Sequence, residues 1–208
     1  MIVNNYNRLI VRDFFFTAFE IDVNNDNNPD YRLCNYNLTG PALGCGPAYM
    51  LSINCLHQNA EILSFLKTDT MYQNITYDTI DNGSIVKIYL KNRRSCSKMG
   101  INDSIVEIWD QHKVEAKYYG QEIHSTDYFA IDSITLTRSS TGCIPTIISQ
   151  NQDTILYGQM IWYYNECNSL PENKEIYLGI KADGKLGWIK ITVMEEYNLM
   201  LYESAIEK

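Results

Sequence analysis

The chain has 208 residues with 45% hydrophobic and 20% charged side chains, and only 11 Gly and 5 Pro, so disordered, collagen-like and low-complexity classes are excluded. Ile, Val, Thr, Tyr, Phe and Trp together supply 70 residues against 8 alanines, which favours strands over helices. A net charge of -8 with no basic stripe excludes a nucleic-acid partner.

Taken in chain order, residues 8–23 read as a strand containing Phe14-Phe15-Phe16 and ending in an Asn/Asp loop. Tyr31 to Tyr36 reads as a second strand, followed by a turn-rich stretch through Gly44-Cys45-Gly46-Pro47. Met50 to Phe65 fits either two short strands or one helix, and Ser84 to Leu90 alternates as a strand. Further strands are predicted at Ser104–Trp109, Tyr128–Thr137, Thr154–Tyr164, Glu175–Lys181, Leu186–Val193 and Leu199–Ala205. No long amphipathic helix is present to act as the crossover of a parallel sheet. The expectation is one all-β domain over residues 1–208, an antiparallel β-sandwich of jelly-roll-like kind with few or no helices.

Six cysteines, Cys34, Cys45, Cys55, Cys96, Cys143 and Cys167, are even in number and form no C-x-x-C pair, which points to disulfides rather than zinc. The alternative is a set of buried free thiols. Fifteen pairings are open; Cys143 with Cys167 is favoured because the intervening segment can form two paired strands. No window reaches the roughly 18 to 20 apolar residues of a membrane span. Met1–Tyr6 lacks the basic and apolar regions of a signal peptide, so an exported reading takes a leader to have been removed.

Asp22, Asn24, Asp26 and Asp30 place side-chain oxygens at positions 1, 3, 5 and 9 of one loop, and the backbone carbonyl of Asn28 at position 7 is a further donor. Calcium takes about six to eight oxygens in flexible geometry, and alternating Asp/Asn residues in a tight turn converge on one point. Asn27 stands where a calcium loop usually has glycine, and Leu33 where an EF-hand has its glutamate. The expected role of calcium here is to brace the loop; the other reading is a solvated turn between strands.

The runs Tyr177-Leu178-Gly179, Gly187-Trp188-Ile189-Lys190-Ile191-Thr192-Val193 and Tyr202-Glu203-Ser204-Ala205-Ile206, with the opening loop Asp22 to Arg32, resemble the ends of a family of secreted β-rich proteins common in Bacteroidetes. The match covers about a third of the chain, at both ends, and departs at Leu186, where an aromatic is usual, and at Ser204. The resemblance implies an exported domain, often a lipoprotein or surface protein, with no activity established for the group. Gly187 is expected to allow a bend or close strand approach while Trp188 packs on the core. The same bacteria modify exported proteins at Asp-Ser/Thr followed by a small or aliphatic residue. That pattern recurs here with Thr70, Thr79, Ser104, Ser133 and Thr154 as acceptors, against about 0.6 matches by chance. The competing reading is that Asp-Ser/Thr-Ile simply starts strands.

His57, His112 and His124 are isolated in sequence and accompany no nucleophile elbow. Glu107, Asp110, Glu115 and Glu122 are the carboxylates available for a glycosidase pair, and Tyr118-Tyr119 and Trp162-Tyr163-Tyr164 are aromatic clusters suited to sugars or protein partners. The expected function is an exported binding or accessory protein at the cell surface or facing the periplasm, without catalysis and with the place of a subunit in an outer-membrane assembly open to it. Its expected partner is a cell-surface protein or a glycan. The alternative is a secreted carbohydrate-active enzyme or carbohydrate-binding module.

Overall fold

The computed structural model describes residues 1–11, 16–37, 48–78, 87–94, 104–151, 154–165 and 170–208, with backbone pairing alone over much of the long strands. Fourteen strands follow in chain order: β1 (Ile2–Ile10), β2 (Phe16–Ile21), β3 (Tyr31–Asn37), β4 (Ala48–Cys55), β5 (Ala60–Asp78), β6 (Lys87–Arg94) and β7 (Ser104–Val114) come first. They continue as β8 (Ala116–Lys117), β9 (Phe129–Ala130), β10 (Ser133–Asn151), β11 (Thr154–Asn165), β12 (Glu175–Ala182), β13 (Lys185–Val193) and β14 (Leu199–Ile206). The only helical element among the described residues is a 3-10 turn at Glu195–Tyr197.

The all-β antiparallel sandwich is what the structure has. One layer runs β1-β14-β13-β12 and the start of β5; the other runs β2-β3-β4-β10 and carries on through β11 and β6 to the far half of β5. A jelly roll interleaves strands between its layers, whereas here β2-β3-β4 and β12-β13-β14 are hairpin successions that stay within one layer. One pair, β6 with β11, is parallel, which the long connection between them permits.

Alternation decides which side chains fill the space between layers. In β12 and β13, Ile176, Leu178, Ile180, Ile189, Ile191 and Val193 are fully buried while Tyr177, Lys181, Trp188 and Lys190 alternate to the outer face. Leu33, Leu51, Ile53, Ile134 and Leu136 answer them from the other layer. Each such side chain contributes about 1.5–3 kcal/mol of hydrophobic stabilisation. Tyr31 crosses the core: its hydroxyl donates to the Glu61 carbonyl at 3.0 Å and the Lys181 carbonyl at 2.8 Å, tying β3 to the β5·β12 pair.

The layers nearly close on themselves, because the strands at the two ends of the hydrogen-bonded order, β1 and β2, are consecutive in the chain. Side chains rather than a ladder bridge that seam. Tyr6 packs edge-on against Phe19 at 5.6 Å, the Arg8 guanidinium lies 4.8 Å over the Phe19 ring, and the Asn4 amide donates to the Asp22 and Val23 carbonyls.

Several expected boundaries move. The Asn-rich run Ile2–Asn7, left outside the first predicted strand, is part of β1 because β14 pairs with it. Met50–Phe65 resolves into two strands rather than a helix, and Tyr128–Thr137 divides into β9 and the start of β10. Ser84 lies outside the described residues, as do Phe14 and Phe15. Trp188 faces outward rather than into the core, since Gly187, Ile189 and Ile191 take the inward positions.

Candidate functional site

The loop between β2 and β3 is built by its own acidic side chains. Asp22 Oδ1 accepts the Asn25 amide at 2.7 Å and the Asp26 amide at 3.3 Å, and its Oδ2 accepts the Asn27 amide at 2.8 Å. Asn24 Oδ1 accepts the Asp26 amide and Asp26 Oδ1 the Asn28 amide, so these two residues each cap the amide two positions on. Asn25 and Asn27 take positive φ of 62° and 69°, conformations that Asn tolerates better than most side chains. This is why an Asn at the usual glycine position does not break the turn.

Asp30 does something different from its sequence neighbours. It is buried, its Oδ2 accepts the Val23 amide at 2.8 Å, and its Oδ1 accepts from His57 Nε2 at 2.9 Å. Nδ1 of His57 accepts the Asn59 amide at 3.3 Å, which leaves the proton on Nε2. Burial raises the Asp30 carboxyl above its ordinary value, against the opposing pull of the Val23 amide and of His57. Asp30 is therefore an anchor fastening the loop to the β4–β5 turn.

One residue that the sequence reading missed joins the loop from elsewhere. Asp183, at positive φ of 49° in the β12–β13 turn, accepts from the Asn24 amide at 3.2 Å and from the Asn59 amide at 3.0 Å. The Asp183-Gly184 pair marked a turn, but nothing in its spacing signalled that it would meet Asn24 of the loop. Among the described residues no three His, Cys, Asp or Glu side chains converge as they do around a bound metal. The loop oxygens of Asp22, Asn24 and Asp26 are occupied by backbone amides, and the side chain of Asn28 is exposed.

A second cluster covers the outer face of β12, β13 and β14. Tyr177 and Trp188 meet at 5.2 Å and 83°, and Lys190 Nζ lies 5.8 Å from the Tyr177 ring and 5.2 Å from the Tyr202 ring. Glu175 pairs with Lys190 at 2.9 Å and holds its ammonium pKa above the ordinary value. Tyr202 also accepts a hydrogen bond from Thr192 at 3.3 Å. The result is a braced aromatic platform with a cation in its middle. Gly187 makes it possible: a Cβ there would run into the Ala205 carbonyl oxygen, so only glycine allows β13 and β14 this close approach.

The remaining candidates disperse. Tyr118 and Tyr119 are both exposed in the segment after β8, and Trp162-Tyr163-Tyr164 lies in β11 where backbone alone is described. Glu107 and Asp110 share β7, Glu115 pairs with Lys117 at 2.7 Å, and Glu122 lies 3.6 Å from His124. His112 stacks on Tyr128 at 5.5 Å. Ser104, Ser133 and Thr154 each begin a strand, the first two exposed; Thr70 is half-buried within β5, and Thr79 lies outside the described residues.

The disulfide expectation fails for the two cysteines whose side chains are described. Cys34 and Cys55 are free. Cys34 stands opposite Ser52 on β4 and accepts from the Asn54 amide at 3.2 Å, while Cys55 stands opposite Tyr31, three residues off in register. Burial raises both thiols, Cys55 to about 11. Cys143 pairs with Ile161 across β10 and β11, so the two paired strands expected there do form. Cys45, Cys96 and Cys167 lie outside the described residues.

Among the described residues no helix is long and apolar enough to cross a membrane. Compared with known proteins, the chain matches no family model, no curated protein and no solved structure.

Proposed function

We propose that this is an exported, surface-facing binding or accessory protein, and that the platform of Tyr177, Trp188, Tyr202 and Lys190 is its recognition face. The observation that carries the reading is the geometry of that platform. Aromatic rings held by neighbours offer rigid, amphipathic area at small entropic cost, and they suit the C–H faces of sugars or the apolar centre of a protein contact. Lys190 and Glu175 at its centre add hydrogen-bonding groups of both signs. The partner is accordingly a glycan or a cell-surface protein.

In the same reading the Asx loop is braced by calcium in an extracellular setting, with Asp22 and Asp26 exchanging backbone amides for the ion. Ser104 and Ser133, exposed at strand starts, are the accessible acceptors for glycan attachment. The deciding experiment presents the protein to a glycan array and to solubilised envelope proteins, alongside Trp188→Ala and Tyr177→Ala. Retention of a defined glycan or protein by the parent, lost in both variants while melting stays cooperative, supports the reading. Equal retention by all three, or none by the parent, overturns it.

A further inference from the structure

Strand β7 lies at an edge. Among the described residues it pairs with β5 alone, and the Glu115 amide donates to the Leu63 carbonyl at 3.1 Å, which sets the alternation along the strand. Residues in step with Glu115 turn their backbone groups toward β5, so the amides and carbonyls of Ile108, Asp110 and His112 point away from it. A row of this kind, unpaired among the described residues, is a ready template for another strand.

The side chains beside that row are unusual for an uncovered surface. Leu66, Ile105, Ile108 and Tyr128 are 60%, 56%, 59% and 57% exposed, and the register Leu66↔His112, Thr70↔Ile108 and Tyr72↔Ile105 puts them on one face of the β5·β7 ribbon. Tyr128 joins that face by stacking on His112. The register shift between Met71 and Tyr72 is what brings Ile105 round to the same side as Ile108. Exposed apolar clusters beside an open edge mark interaction sites. The charges on the edge are acidic: Asp110, fixed by Thr68 at 2.6 Å, lies on the apolar face and Glu107 is exposed on the other, whereas Lys113 is buried.

We propose that β7 accepts an extended segment of another polypeptide as an added strand, its apolar residues covering Leu66, Ile105 and Ile108 and its basic residues, on the opposite face, facing Glu107. Main-chain hydrogen bonds to Ile108, Asp110 and His112 supply the docking, and the acidic edge selects a cationic, alternating segment over an anionic one. The site is on different strands from the aromatic platform, and it stands or falls independently of the function proposed for that platform.

Amide hydrogen exchange tests it with two synthetic eight-residue peptides, one alternating valine with lysine and one alternating valine with glutamate. At about 1 mM valine–lysine peptide, exchange at Ile108, Asp110 and His112 is expected to slow about tenfold, with less than about twofold slowing by the glutamate peptide. Ile108→Pro removes one outward donor without breaking a bond to β5, and it should abolish the protection while leaving the melting transition in place. Glu107→Lys should transfer the preference to the glutamate peptide, which keeps the test decisive if the proline variant does not fold. Absence of slowing, or equal slowing by both peptides, overturns the proposal. So does protection that appears without peptide and grows with protein concentration, because the edge then belongs to a second copy of this chain.

Discussion

Strand β5 passes through two environments. Ala60, Ile62 and Leu63 are fully buried in the sandwich, pairing with β12 and β9, whereas a few residues on Leu66 pairs just as regularly with β7 and stands open to solvent. Both stretches satisfy their ladder hydrogen bonds, so hydrogen bonding does not separate them. A second layer does: the core of the two facing sheets covers Ile62, and nothing in the described chain covers Leu66. Strand formation and burial are thus separate consequences of sequence, and only the second supplies most of the stability.

The sharpest test of that contrast is a matched truncation. Ile62→Ala is expected to cost about 2–5 kcal/mol, since it opens a cavity in a packed core. Leu66→Ala, a similar deletion on the same strand, should stay within about 0.5 kcal/mol. Urea unfolding of the two variants reads the difference, and equal losses would mean that the outer ribbon is covered in solution.

Gly187→Ala probes the packing of the sandwich from its backbone. The added Cβ meets the Ala205 carbonyl, a rigid partner, and the variant should lose about 1–3 kcal/mol and loosen the β13·β14 pair. Hydrogen exchange at β14, compared between parent and variant, locates the loss.

Asp30→Asn tests the anchor of the Asx loop, with an expected loss of about 1–3 kcal/mol near neutrality because one of the two donors facing Asp30 is left without an acceptor. The pH dependence has a definite sign. A carboxyl whose value is raised in the fold holds its proton more tightly there than in the unfolded chain, so its contribution falls as pH climbs from the ordinary carboxylate range, about 4, through the raised value. Melting temperature plotted against pH over that window should therefore be flatter for Asp30→Asn than for the parent; a steeper curve would place the titration elsewhere.

The smallest effect is chemical rather than energetic. Cys55, with its thiol at about 11, and the buried Cys34 should react with iodoacetamide in the folded protein much more slowly than after denaturation. Peptide mapping that finds either residue rapidly alkylated in the native state would contradict their placement.

The class of fold was legible because period-two alternation is strong where one face of a strand is buried. Glu175–Lys181 and Leu186–Val193 are read within a residue of β12 and β13 for that reason. Legibility failed where pairing came from afar. Ile2–Asn7 carries three asparagines and becomes strand only because β14 lies beside it, and no local signal told β9 from β10. In the loop, the Asx spacing predicted a tight acidic turn and the structure has one, but the inward turn of Asp30 depends on His57 and the approach of Asp183 on a hairpin more than 150 residues away. Trp188 was misplaced because a Gly-Trp pair does not reveal which of its two residues faces inward; the burial of Ile189 and Ile191 does.

The register Ile2↔Ile206 to Ile10↔Leu199 sets an order in time. Synthesis delivers β14 long after β1, so β1 waits without its ladder while everything between is made, and the loop to be closed spans all the intervening strands. A ribosome stalled anywhere before Leu199 leaves β1 and β13 each with an open side, and such a nascent chain is expected to hold chaperones until β14 emerges.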